Sequence, residues 1–130
     1  MTNANGSDFL LGQIGQISVP VTDIDRAIAF YRDVLGMDFL FYAPPGLGFF
    51  NCNGVRLMLD SPASERAGQG SVIYFKVEDL DAVFQVLTAR EVNFETDPHL
   101  VARMPDHELW MAFLRDPDGN LLAMMSEVRH

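Results

Sequence analysis

A chain of 130 residues with 48% hydrophobic content is long enough to bury a real core, which excludes wholesale disorder. A formal charge of −9 at pH 7 argues against a nucleic-acid groove or an anionic membrane surface, and no apolar run is long enough to span a bilayer. The one cysteine, Cys52, excludes an internal disulfide and fits a reducing setting, so a cytoplasmic location is expected.

Met1–Asp8 has neither the basic start nor the apolar stretch of a signal peptide, and residues 1–13 read as a flexible arm. A first strand follows at Gln13–Val21, where Ile17, Val19 and Val21 alternate with Gln16, Ser18 and Pro20. Asp23 is placed to cap a helix over Ile24–Leu35, and Asp25 adds negative charge near its positive end. Ile24, Ala27, Ile28, Tyr31, Val34 and Leu35 give that helix its apolar stripe, and Gly36 fits a left-handed stop. Strands are expected at Asp38–Tyr42, Leu47–Asn51 and Val55–Asp60, the last two joined by the hairpin signal Asn53-Gly54. The small, polar stretch Ser61–Gly70 reads as a linker.

The second half repeats the first. At an offset of 56 residues, Val77, Asp79, Leu80 and Asp81 fall on Val21, Asp23, Ile24 and Asp25. The expected elements are a strand at Ser71–Val77, a helix at Leu80–Arg90, a strand at Asn93–Glu95 resuming at Leu100–Arg103, and strands at Glu108–Leu114 and Leu121–Glu127. Asp116-Pro-Asp-Gly-Asn120 forms the turn between the last two. The fold class is therefore α+β: two βαβββ modules (14–60 and 71–127, linker 61–70) within one domain, 14–130. Units this small bury too little surface alone, so curled mixed sheets are expected around a shared cleft, helices outside.

These openings, Val19-Pro-Val-Thr-Asp-Ile-Asp25 and Phe75-Lys-Val-Glu-Asp-Leu-Asp81, together with Phe113-Leu-Arg-Asp-Pro-Asp-Gly-Asn120, resemble the vicinal oxygen chelate superfamily. That group includes glyoxalases, bleomycin-resistance proteins and extradiol dioxygenases. In metal-dependent members, the resemblance implies ligands at four concave-face positions. Here those positions are Gln16, Arg56 (or Met58 if the register slips by two), Val72 and Ala123. One neutral amide, a guanidinium and two aliphatic chains do not hold a divalent ion. No cofactor is expected; a divalent metal held by a relocated set from His99, His107 and Glu108 is the alternative. Asp106, His107 and Glu108 are consecutive, so neighbours among them point to opposite faces of a strand.

The ligand-binding candidates are Gln16, Arg56, Tyr74, Phe49, Trp110, Phe113 and His107. Arg56 offers a planar fork for a carboxylate or phosphate, or pairs with an internal acid such as Asp60. Gln16 serves a ligand carbonyl or a neighbouring side chain. Trp110 is either core or ligand platform, and the phenylalanines and methionines suit a flat, apolar ligand. Cys52 reads as a buried filler, and His130 is given no role. The leading function is metal-independent binding of a small, partly aromatic molecule by a homodimer, with no nucleic-acid or membrane partner. A metal-dependent lyase, isomerase or dioxygenase is the alternative, and a purely structural dimer module a third.

Overall fold

The computed structural model describes residues 10–129; most of the expected arm, and His130, lie outside the described residues. The first module comprises β1 (Gln16–Pro20), α1 (Ile24–Ala29, continuing as a π-helical turn over Phe30–Val34), β2 (Asp38–Ala43), β3 (Leu47–Cys52) and β4 (Val55–Asp60). The second comprises β5 (Ile73–Lys76), α2 (Leu80–Ala89), the short β6 (Asn93–Phe94), β7 (His99–Arg103), β8 (His107–Arg115) and β9 (Leu121–Arg129). A single 3-10 turn, Ser64–Arg66, interrupts the linker. The class is the expected α+β pair of βαβββ modules, with β6 and β7 sharing one edge of β8 as the two parts of an interrupted strand.

Local chemistry accounts for the element boundaries. Asp23 accepts from the Arg26 amide at 3.1 Å and Asp79 from the Ala82 amide at 3.0 Å, so both helices start on the expected aspartate caps. Asn53 and Gly54 both carry positive φ (52° and 95°), the geometry a two-residue hairpin demands. Gly48 is fixed by packing: a Cβ there would lie 2.8 Å from Ile28 Cγ1, so only glycine lets α1 approach β3 this closely.

The first sheet runs β1-β4-β3-β2 and the second β5-β9-β8-β6, with β1–β4 and β5–β9 parallel and the other pairs antiparallel. Val19, Phe50, Leu57 and Leu59 pack beneath α1; Ala112, Leu114, Leu122 and Met124 pack with Leu80 and Leu87 of α2. All belong to one contiguous core, each large side chain contributing roughly 1.5–3 kcal/mol by leaving water.

The two modules are joined through α1 and the turn after β8. Helix α1 has two apolar flanks, so it serves both modules. Its Tyr31, fully buried, lies 6.1 Å from Phe50 and donates through its hydroxyl to Asp116 Oδ2 at 2.8 Å, across 85 residues of sequence. Leu35 and Met37 reach the α2-bearing face of the second sheet. The turn after β8 fastens the joint: Asn120 Nδ2 donates to the Pro20 carbonyl at 2.9 Å, and Arg26 and the Thr22 amide and hydroxyl donate to Asp118. Core-facing side chains of both sheets join the one contiguous core, and their alternates along each strand lie on the opposite face. Among the described residues, β1 and β5 are each paired on one side only.

Candidate functional site

Alternation along β1, β3 and β4 sends Gln16, Phe49, Arg56 and Met58 to the open face of the first sheet. Parallel pairing sets Gln16 opposite Arg56, and the β3–β4 hairpin sets Phe49 opposite Met58. Arg56 Nε donates to Gln16 Oε1 at 3.2 Å, and Gln16 Nε2 donates to the Met58 sulfur at 3.7 Å. The guanidinium lies 5.4 Å from the centroid of the Phe49 ring, which itself stacks at 4.8 Å on Phe41. Arg56 is thus oriented by an amide and an aromatic floor, while its two terminal nitrogens carry no hydrogen bond among the described residues.

The internal partner of Arg56 is an amide, not the carboxylate considered from sequence. Asp60 sits at the far end of β4 and accepts from the Ala63 amide at 3.2 Å. Of the other cations, Arg26, Arg32, Lys76, Arg103, Arg115 and Arg129 each lie within ion-pairing distance of a carboxylate, whereas Arg66 and Arg90, like Arg56, have none among the described residues. Arg56 differs from Arg66 and Arg90 in being held over an aromatic ring by a side-chain amide.

The open face of the second sheet is aromatic. Tyr74 and Phe113 flank Ala123 in register and meet edge to face at 6.1 Å. His99 stacks on the other side of Phe113 at 6.3 Å, its Nδ1 donating to the Asp97 carbonyl at 2.8 Å. Lys76 turns to Glu127, 3.5 Å away. His107 occupies the same side of β8 but lies toward its start, opposite Arg129. Its ring donates to Asp106 at 2.7 Å and, with Arg129, holds that carboxyl below the usual carboxylate range.

Trp110 does not join this group. It stands three residues from Phe113 on a strand, hence on the opposite face, packed against the core and donating to Glu108 Oε1 at 3.2 Å. Glu108 also accepts from Arg103 at 3.1 Å. Gln16, Phe49 and Arg56 therefore come together on one sheet, Tyr74 and Phe113 on the other, with His107 and Trp110 apart. Phe41 escaped the sequence reading, although its alternation with Leu40 and its pairing with Phe49 across the hairpin carried the signal.

The residues at the inherited metal positions do not fit a divalent ion. Gln16 already bonds Arg56, whose guanidinium is a repulsive neighbour, and Val72 and Ala123 offer no lone pair on a side chain. The relocated set is not gathered either: His107 and Glu108 point to opposite faces, and no group of three His, Cys, Asp or Glu side chains arranged to hold a metal occurs among the described residues. Burial pushes the Cys52 thiol up, away from a reactive thiolate.

A family model for the Glyoxalase/Bleomycin resistance protein/Dioxygenase superfamily matches residues 13–124. The chain belongs to that superfamily. A glyoxylase-like domain-containing protein of Didymella fabae is 30% identical over 129 residues, covering 88% of this chain and 94% of the relative. A lactoylglutathione lyase structure from Agrobacterium tumefaciens is 26% identical with a TM-score of 0.72, covering 88% of this chain and 92% of that one. TnmS3, an antibiotic-binding protein from a Streptomyces species, has a TM-score of 0.75 at 23% identity over 92% and 98% of the two chains, a likeness of fold. Members of this superfamily bind small molecules, and no helix among the described residues is long and apolar enough to cross a membrane.

Proposed function

We propose that this superfamily member binds a small, partly aromatic molecule bearing an anionic group, without a metal at the inherited positions. The observation that carries this reading is Arg56: exposed, oriented by Gln16, seated over Phe49, and without an acidic partner among the described residues. An anion there gains a bidentate, charge-assisted pair, and the Phe41–Phe49 rings offer a surface for an aromatic body. The antibiotic-binding role in the name of the fold neighbour TnmS3 accords with this reading.

The same reading includes a homodimer. Among the described residues β1 keeps a free edge, and the Arg56 group and the Tyr74–Phe113 pair lie on different sheets. A second copy that covers the β1 edge brings the polar half-site of one chain beside the aromatic half-site of the other. The enzymatic alternative, a lyase, isomerase or dioxygenase with relocated ligands, draws on the enzymes named in the family, on the glyoxylase-like relative and on the likeness to a lactoylglutathione lyase. A thermal-shift panel of aromatic carboxylates and their neutral amides, with elemental analysis of the purified protein, tests the reading. Stabilisation by the carboxylates alone, lost in Arg56→Ala, supports it; stoichiometric metal surviving dialysis and lost in Gln16→Ala overturns it. Sedimentation is expected to give twice the 14.5 kDa chain mass.

A further inference from the structure

The joint between the modules is not completely filled. On the helix-bearing side, away from Arg56, an apolar pocket of about 230 Å³ opens to solvent on one side. Leu35 and Met37, from the end of α1 and the turn after it, form one wall; Val83 and Leu87 of α2 form a second; Leu122 and Met124 of β9 form the floor. Its walls thus come from both modules, tied beside the pocket by Arg90 Nη1, which donates to the Val34 carbonyl at 2.8 Å.

The lining restricts what fits. The one charged residue on it is Lys76, and the Lys76 ammonium is already directed to Glu127 at 3.5 Å. What Lys76 adds is its backbone. Val77 N–H donates to the Met125 carbonyl at 2.8 Å, so by the alternation of a strand the N–H and C=O of Lys76 point to the unpaired edge of β5. A cationic ligand finds no carboxylate on this lining, and an anionic one has to compete with Glu127 for Lys76. An apolar cavity of roughly 150 Å³ accommodates benzene, so this larger pocket has room for a second ring or a substituent. Two methionines in its lining adapt to an aromatic guest through soft sulfur contacts.

We propose that the inter-module pocket is a second ligand site, distinct from the Arg56 face, for a small neutral aromatic molecule with a single hydrogen-bonding group, of the phenol or indole class. Since both modules wall the pocket, its occupant stabilises their docking and raises the melting temperature by mass action.

Indole titrated into the full chain carrying 13C-methyl methionine tests this directly. The expected result is saturable movement of the Met37 and Met124 methyl signals, with Met58 and Met111 on the open sheet faces unmoved. Val83→Phe fills the pocket from a half-buried helix position, and is expected to abolish the movement while the protein keeps its fold; Leu35→Phe serves the same purpose from the opposite wall. Absence of saturable movement at Met37 and Met124 in the wild-type protein overturns the proposal, as does movement that persists undiminished in a folded filled variant.

Discussion

The joint between the modules and the open face of the first sheet both turn on one charged side chain, and they treat it in opposite ways. At the joint, Asp116 is 5% exposed and accepts from four donors: the Tyr31 hydroxyl, the Asn120 side-chain amide, and the backbone amides of Asp118 and Asn120. On the open face, Arg56 gives its Nε–H to Gln16 and leaves its terminal nitrogens to solvent. Each unmet buried donor or acceptor costs about 1–3 kcal/mol, so Asp116 is saturated by the fold, although Oδ2 of the neighbouring buried Asp118 has no hydrogen-bond partner among the described residues. An exposed charge held in place but left unsaturated contributes little to stability, and its orientation makes sense for another molecule.

The largest effect expected from breaking the saturated side is Asp116→Ala, which strands several buried donors and is expected to cost at least about 3 kcal/mol in urea unfolding. Tyr31→Phe removes a single bond to a charged acceptor, expected to cost about 1.5–3 kcal/mol. It also changes the response to pH. Burial pushes the Tyr31 hydroxyl well above 10.0, and the Asp116 carboxylate reinforces this. Below pH 10 the contribution of Tyr31 is fully present; above it the unfolded chain gives up its proton first, so stability falls as pH rises. Melting curves from pH 8 upward are expected to show that fall in the wild type and a shallower one in Tyr31→Phe.

On the unsaturated side, Arg56→Ala is expected to leave unfolding without ligand within about 0.5 kcal/mol of wild type. Its effect belongs to binding, where loss of a charge-assisted contact weakens an aromatic carboxylate by roughly tenfold to a hundredfold. A melting temperature lowered as much as in Tyr31→Phe places Arg56 among the structural groups and erases the contrast. The smallest effect is expected at Arg32, which pairs with its chain neighbour Asp33 on the exposed surface: Arg32→Ala is expected to leave the melting temperature unchanged.

What the sequence disclosed follows the range of the forces involved. The aspartate caps of α1 and α2 and the Asn53-Gly54 hairpin depend on residues a few positions apart, and all lie where the pattern puts them. The face of Arg56 was legible as well, because β4 alternates without interruption from the hairpin to Asp60. Its partner was not, since the choice between Gln16 and Asp60 is made by the parallel pairing of β1 with β4. The double service of α1 was hidden for a similar reason. Ile28, Tyr31 and Leu35 read as one apolar stripe, and only the contact of Tyr31 with Asp116 divides it between two sheets. Trp110 is different: it reads as core or as ligand platform, its spacing of three from Phe113 already excludes a shared face, and the structure packs it against the core.

The central claim is that Arg56, held by Gln16 over Phe49, receives an aromatic anion. Met58, whose sulfur accepts from Gln16 at 3.7 Å, is the natural reporter on that face. Methyl-labelled methionine therefore allows 1-naphthoate and the neutral 1-naphthamide to be titrated against wild type and Arg56→Ala. The account predicts saturable movement of the Met58 signal with naphthoate, much weaker movement with the amide, and loss of the difference in Arg56→Ala. Equal response to both compounds, or a naphthoate response unchanged by the substitution, contradicts it.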